Sequence, residues 1–342
     1  MRRISPLFYQ ILFVVVAVTL TLVAGEGVIR LVSAYHPIYN IEMVKYALKL
    51  KMRDPRGEVS HVHRPSASAH LMGVDISLNS LGQRGPELAR EKPSSTKRVL
   101  VLGSSITMGW GVPQEKVFTS VAQERLNREQ PFGPGVRFEF ANAGIGNYNT
   151  HFQYKLFLNQ YPVVKPDLVV LHYFISDVQP RTMGRDNPIL KHSYLAAFFF
   201  DRWSKIQLQF SGKYKDLFTF YSDLYKDDSP AWESTRREIS EIRDITLRDK
   251  VPFVIMIIPD IHDLTPGSPY GALYKKMETA FTGMNIPGVN AYEPFQKRFG
   301  GDVSQLWIQS DDPHPNASGH ELMAGLLYDY IVEKDPLHLG SH

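Results

Sequence analysis

"LVLGSSITMGWGV", residues 100–112, is an apolar run that stops at Gly103 and gives way to two serines, a threonine and two more glycines. A short continuous apolar run closed by glycine suits a central parallel strand, with a helix opening just beyond it. The serines could belong to a phosphate cradle, to a nucleophile, or to a plain turn. A phosphate-binding loop needs four residues between its glycines and a lysine after the second. Here five residues separate Gly103 from Gly109, and Trp110 stands where the lysine belongs. The related turn "GIGNYN" (144–149) has Asn149 in place of a third glycine, and it follows the second strand rather than the first. Both nucleotide readings fail on chemistry.

Working outward, "VRFEFANAG" (136–144), "PDLVVLHYF" (166–174), "VPFVIMIIPD" (251–260) and "GVNAYEPF" (288–295) read as further strands. Helical spacing fills the intervals near 118–126, 153–159, 232–248 and 318–332. The alternation predicts an α/β fold, a doubly wound, mainly parallel five-stranded sheet flanked by helices in the flavodoxin-like manner. Ligands in such sheets sit beyond the carboxyl ends of the strands, where the unusual residues of this chain fall. The α/β domain is expected over 97–335, with a tail at 336–342. Residues 28–96 form a mixed, irregular segment, with a short helix near 44–52 and "RGEVSHVHRPSASAH" (56–70) read as irregular and exposed. Residues 180–230, rich in aromatics, are expected to be a helical insertion that shapes a groove or only packs.

The chain has 342 residues, 43% of them hydrophobic and 21% charged, with a net charge of +3. This is globular composition with too little positive charge to argue for nucleic acid. It has no cysteine, which excludes disulfides, thiolate metal sites and a cysteine nucleophile. No His-Glu-x-x-His motif or carboxylate cluster predicts a metal, and no cofactor is expected. Residues 1–27 carry Arg2 and Arg3 followed by an uncharged stretch from Ile4 to Gly25. That length spans a hydrocarbon core of roughly 30 Å. The arginines favour a cytoplasmic amino end, which puts the rest outside. This predicts a single-pass inner-membrane protein with a periplasmic domain. A cleaved signal peptide is the alternative, with Val23-Ala24-Gly25 as small residues near a cut.

A serine becomes a nucleophile when an imidazole takes its proton and a carboxylate holds that imidazole in one tautomer. "SDDPHPNASGHELMA" (310–324) places His314 three residues after Asp311 on a proline-bracketed loop ahead of a helix. Ser318 and Glu321 have the spacing of a capping box for that helix.

"GSSITMG" (103–109), "NAGIGNYNT" (142–150), "FISD" (174–177) and "DDPHPN" (311–316), in this order, resemble the four blocks of the SGNH, or GDSL-type, hydrolase family. The resemblance runs from about Arg98 to Leu327. It extends to "LNSLGQRGPE" (78–87), which is similar to a stretch in membrane-anchored bacterial members. It implies Ser105 as nucleophile, His314 as base and Asp311 as its carboxylate, the adjacent Asp312 being set aside on family spacing. It also implies Gly144 and Ser176 at the oxyanion. Two departures stand out: Ser104 replaces the first block's aspartate, and Ser176 replaces the third block's asparagine. Losing an oxyanion donor outright costs ~10²–10³ in turnover.

The resemblance implies a serine ester hydrolase or O-acyltransferase working through an acyl-enzyme. With the outward-facing anchor, it points to O-acetyl groups of a cell-surface polysaccharide, with a membrane acyltransferase as a possible partner. A non-catalytic carbohydrate-binding or scaffolding subunit, and a lipid esterase or thioesterase, remain the alternatives.

Overall fold

The computed structural model describes residues 5–181, 187–210, 216–310, 312 and 314–340. The chain divides into two compact units, Met1–Leu48 with Gly184–Lys213, and Lys49–Met183 with Tyr214–His342.

The first unit is helical. Helix α1, Pro6–Tyr35, starts at a Ser5 cap with proline in its first turn. It is long and apolar enough to cross a membrane, with a mean hydropathy of 2.4 over its best window. Thr19 and Thr21 donate their hydroxyls to the carbonyls of Val15 and Ala17, so they add no unpaired polar group to that surface. Helix α2 (Tyr39–Lys49) follows and carries the short helix expected near 44–52 a few residues earlier. The expected insertion supplies α6 (Pro188–His192) and α7 (Tyr194–Phe210) to this unit.

The second unit opens with two short antiparallel pairs, β1 (Lys51–Met52) with β2 (Val62–His63), and β3 (Ser68–Leu71) with β4 (Val74–Ser77). Part of the segment read as irregular is therefore paired strand. The main sheet has strands β5 (Thr96–Gly103), β6 (Arg137–Gly144), β7 (Leu168–Phe174), β8 (Phe253–Ile258) and β9 (Gly288–Asn290), ordered β6-β5-β7-β8-β9 and parallel throughout. The expected five-stranded parallel sheet is present. Every residue of β7 and β8 is buried, which is why those strands read as unbroken apolar runs. Only the first three residues of "GVNAYEPF" are strand; the rest opens helix α11 (Tyr292–Phe299).

The connecting helices are α4 (Phe118–Glu129), α5 (Thr150–Val164), α9 (Pro230–Arg248) and α10 (Tyr270–Gly283), with α8 (Leu217–Leu224) ahead of α9 and α12 (Ala317–Lys334) at the end. The path turns one way from β5 to β6 and the other way from β6 to β7, so right-handed crossovers put α4 and α5 on opposite faces. Helix α12 packs on α4, and α5 on α9. The reversal makes the carboxyl ends of β5, β6 and β7 the switch point where such sheets bind ligands.

At that point sits the four-residue helix α3, Ser105–Met108. Gly103 and Gly144 are direct partners across β5 and β6. A Cβ at Gly103 would lie 1.9 Å from Thr107 Oγ1, and one at Gly144 would lie 2.3 Å from the Met108 nitrogen. The helix rests on two strand ends without side chains, and nothing larger fits. Gly144→Ala is expected to cost about 3 kcal/mol of stability through overpacking against backbone. Gly283→Ala, with nothing within 4 Å of the added carbon, should be neutral or slightly stabilising. Thermal unfolding of the two variants in detergent checks this.

Candidate active site

Ser105 is the first residue of α3, half-buried, directly after the Gly103–Ser104 turn. Its Oγ lies 2.6 Å from His314 Nε2. His314 Nδ1 lies 2.5 Å from Asp312 Oδ1, which also accepts the His314 backbone N–H at 2.9 Å. Asp312 is fully buried and His314 nearly so. The Asp312 Oδ2 is buried with no hydrogen-bond partner among the described residues. The structure thus joins two of the three expected residues, and the carboxylate on the imidazole belongs to Asp312. Asp311 lies outside the described residues. The Asp312 pairing spans two residues rather than three because one carboxylate oxygen closes a tight turn onto both the N–H and the ring of His314.

Around this line the segment Lys49–Thr96 fixes the loops. The Arg84 guanidinium is buried and donates to the carbonyls of Met108, Gly109 and Val112 and to Gln114 Oε1. Its backbone N–H bonds Asn142 O at 3.0 Å. Burial lowers the Arg84 pKa to about 10, which leaves it charged at neutral pH. Asn142 in turn donates to Thr107 O and Thr119 Oγ1. The second-block turn is held from the same segment. Lys51 Nζ and His61 Nε2 both donate to Gly146 O, at 2.7 and 2.9 Å, and Tyr148 OH donates to His61 O. His63 Nδ1 donates to Gly82 O. These two histidines are not exposed, as the sequence reading had them, but serve as carbonyl donors. Burial pushes both to about 3 and Lys51 down to about 7.

Gly144 closes β6 beside α3, but its N–H donates to Asn142 Oδ1 at 3.1 Å. Asn147, in the left-handed region at φ 69° and exposed, has a backbone N–H with no acceptor among the described residues. Ser176 lies in a 3-10 turn (Ile175–Val178) after β7, half-buried, with no bond from its hydroxyl to Ser105 or His314. Trp110 and Tyr148 are buried and offer no open platform, although the Trp110 ring lies 6.2 Å from that of His314. His320 is also buried, its Nδ1 accepting the Phe118 N–H, and desolvation pushes its pKa well below the ordinary value. The cap of α12 is Asn316, not Ser318: its Oδ1 accepts the Ser318 N–H.

One constellation escaped the sequence reading. Asp260 Oδ1 accepts the backbone N–H of His262 at 2.9 Å and lies 3.0 Å from its Nδ1. This repeats the Asp312–His314 turn, and Asp-x-His at both places was the signal that could have shown it. The hydrogen bond to Asp260 raises the His262 pKa, against desolvation and with help from the charges of Asp260 and Asp312. The ring stacks on Trp307 at 5.6 Å. It borders an open cavity of about 410 Å³ lined by Asp216, Phe218, Asp260, Asp263 and Tyr270.

Asp177, last of the "FISD" block, is fully buried. It accepts from Phe174 N at 3.0 Å and Gln153 Nε2 at 2.9 Å, while its Oδ1 has no partner among the described residues. Burial raises its pKa from 3.8 to about 7. Its contribution to stability is complete below pH 3.8 and is lost as pH rises through about 7. Asp177→Asn keeps an acceptor for both donors. Its stability relative to the parent should therefore rise from acid pH to about 7 and then level off, as urea titrations along a pH series would show.

No family model matches this sequence, and no curated protein matches it. Among solved structures, the chain is similar to a two-domain esterase (CEX) active on acetylated mannans, at 16% identity and TM-score 0.45 over 72% of this chain. The match covers 51% of that esterase, so this chain spans about half its length. It is also similar to TesA (15% identity, TM-score 0.43, 70% of this chain and 99% of that one). A third similarity is to the acetyl xylan esterase AlAXEase (15%, 0.42, 68% and 99%).

Proposed function

We propose that the protein is a serine ester hydrolase or O-acyltransferase held at a membrane, acting on O-acetyl groups of a cell-surface polysaccharide. The observation that carries the reading is the unbroken line Ser105 Oγ to His314 Nε2, 2.6 Å, and His314 Nδ1 to Asp312 Oδ1, 2.5 Å. A hydroxyl, an imidazole and a buried carboxylate in this order can move a proton off the nucleophile and hold the resulting imidazolium.

His314 Nε2 takes the Ser105 proton as Oγ attacks the ester carbonyl, and a tetrahedral oxyanion forms. The Ser105 N–H, at the first turn of α3, and the Ser176 hydroxyl are its donors in this proposal. The Gly144 N–H can join them only by releasing Asn142, whereas the Asn147 N–H is unclaimed. His314 then protonates the departing sugar oxygen, leaving an acyl group on Ser105. Water or a second hydroxyl, deprotonated by the same imidazole, resolves the acyl-enzyme and returns the proton to Ser105. The cavity beside His262 offers carboxylates to sugar hydroxyls and aromatic faces to a pyranose ring, which supports a carbohydrate as the acyl carrier or acceptor. No step needs a metal or cofactor.

We also read α1 as an uncleaved single-pass inner-membrane anchor, with Arg2 and Arg3 on the cytoplasmic side and the α/β unit in the periplasm. The helix runs without a break through Val23-Ala24-Gly25 to Tyr35, which supports retention over cleavage. A membrane acyltransferase that supplies acyl groups fits the transferase branch.

The test follows p-nitrophenyl acetate turnover by the full chain in detergent, with and without an oligosaccharide acceptor. Ser105→Ala should abolish turnover and labelling by a fluorophosphonate. Asp312→Asn should lower kcat by ~10⁴ by leaving the imidazole in the wrong tautomer, and Asp311→Asn should have the smaller effect. Acetyl transfer to the acceptor marks a transferase, and release as acetate marks a hydrolase. Turnover that survives Ser105→Ala overturns the serine mechanism. A parent chain with neither turnover nor labelling leaves the scaffolding alternative standing.

A further inference from the structure

Helix α7 is more than filler between β7 and α9. Its amino end is bound to α1 by one carboxylate. Glu26 accepts the backbone N–H groups of Tyr194 and Leu195, at 3.0 and 2.9 Å, and the Ser193 hydroxyl at 2.9 Å. Arg30, one turn on, bonds Glu26 and donates to the His192 carbonyl, with its guanidinium 4.3 Å from the Tyr194 ring centre. A Cβ on Gly25 would lie 3.3 Å from Leu195 Cδ2, so the two helices meet closely there. Ala197, four residues on from Ser193, is buried.

The side away from Ala197 carries Phe199, Trp203 and Ile206 at i, i+4 and i+7, with Phe200 beside them, in line with Leu195 one turn before. They are 59%, 59%, 44% and 54% exposed. An exposed ridge of this kind marks a surface that something covers.

We infer that α7 lies in the membrane–water boundary on the outer side, with the Phe199–Phe200–Trp203–Ile206 ridge inserted among lipid acyl chains as a second attachment beside α1. The inference rests on the reading of α1 as a membrane anchor. Lipid is favoured over a protein partner by continuity. Apart from Gln10, Thr19 and Thr21, the side chains from Leu7 to Val23 along α1 are apolar, and all the large ones are exposed; only lipid suits such a surface. The carboxylate that holds α7 follows Gly25, where the uncharged stretch ends. Helix α7 therefore starts at the depth where hydrocarbon gives way to headgroups. Trp and Phe on one face of a helix, with charge at its flank, are the composition of an interfacial helix. Arg202 supplies that charge, its guanidinium 3.4 Å from the Phe198 ring centre.

The absence of cysteine makes the test direct. Val14→Cys, Trp203→Cys and Leu247→Cys are each made in the full chain, labelled with an environment-sensitive nitrobenzoxadiazole and placed in phospholipid nanodiscs with or without brominated acyl chains. Leu247, on α9, is 71% exposed and serves as the solvent control. Labels at 14 and 203 should be quenched about two-fold or more, since an interfacial helix sinks ~5–10 Å into the acyl boundary, and the label at 247 should not. Quenching at 14 without quenching at 203 overturns the inference and leaves the anchor intact. A label at 203 that is blue-shifted yet unquenched overturns it in favour of a covering protein. Absence of quenching at 14 overturns the anchor and this inference with it. Phe199→Cys repeats the measurement should Trp203→Cys not fold.

Discussion

The candidate site depends on a place where two strands end without side chains. Gly103 and Gly144 face each other across β5 and β6, and α3 lies on the gap they leave. Only this lets a helix begin one residue after a strand and present Ser105 at the switch point of the sheet. A methyl group at either position would meet the backbone or side chain of α3 at under 3 Å. Glycine here is a matter of space, because neither residue has positive φ; the turn that does need left-handed backbone is Gly109, at φ 81°, which ends the helix.

A helix of four residues cannot hold itself, since a single turn fixes several dihedrals for very few hydrogen bonds. Its exit is held by Arg84, whose donors reach the carbonyls of Met108, Gly109 and Val112. A guanidinium suits this task because its fork stays charged and its donors are fixed in one plane. The partner turn after β6 is held in the same manner by Lys51 and His61 on one carbonyl. The segment ahead of the sheet is thus a brace for both loops of the site, and its resemblance block gains a physical reason in Arg84.

The main sheet was legible because its strands are buried on both faces and leave unmistakable apolar runs. The hairpins at 51–77 were not, for they are two to four residues long and paired by local turns that leave no period. Residues 180–230 failed for another reason. The apolar face of α7 is partly spent on α1 and partly exposed, so no single core face organises its pattern. Ser105 and His314 were found by block order and chemistry. Gly144 was placed correctly at the strand end, but sequence could not show that Asn142 occupies its N–H.

The choice between Asp311 and Asp312 shows where spacing rules stop. The spacing of the family block, three residues from aspartate to histidine, favours Asp311. Across a turn the reach is set by side-chain length instead, and an aspartate can bond the backbone N–H two residues on. Asp312 does so and bonds the ring with the same oxygen, which ties the imidazole to the turn by both its ends. The other oxygen is buried without a donor among the described residues, which leaves the carboxylate short of hydrogen bonds. In such a site a proton on His314 would be the main compensation the carboxylate could receive, at a place where low dielectric strengthens the attraction. His262 repeats the turn but is half-exposed, so its ring faces solvent as well as Asp260. The same three-residue device therefore occurs in two settings: buried against the Ser105 hydroxyl at His314, and open to a cavity at His262.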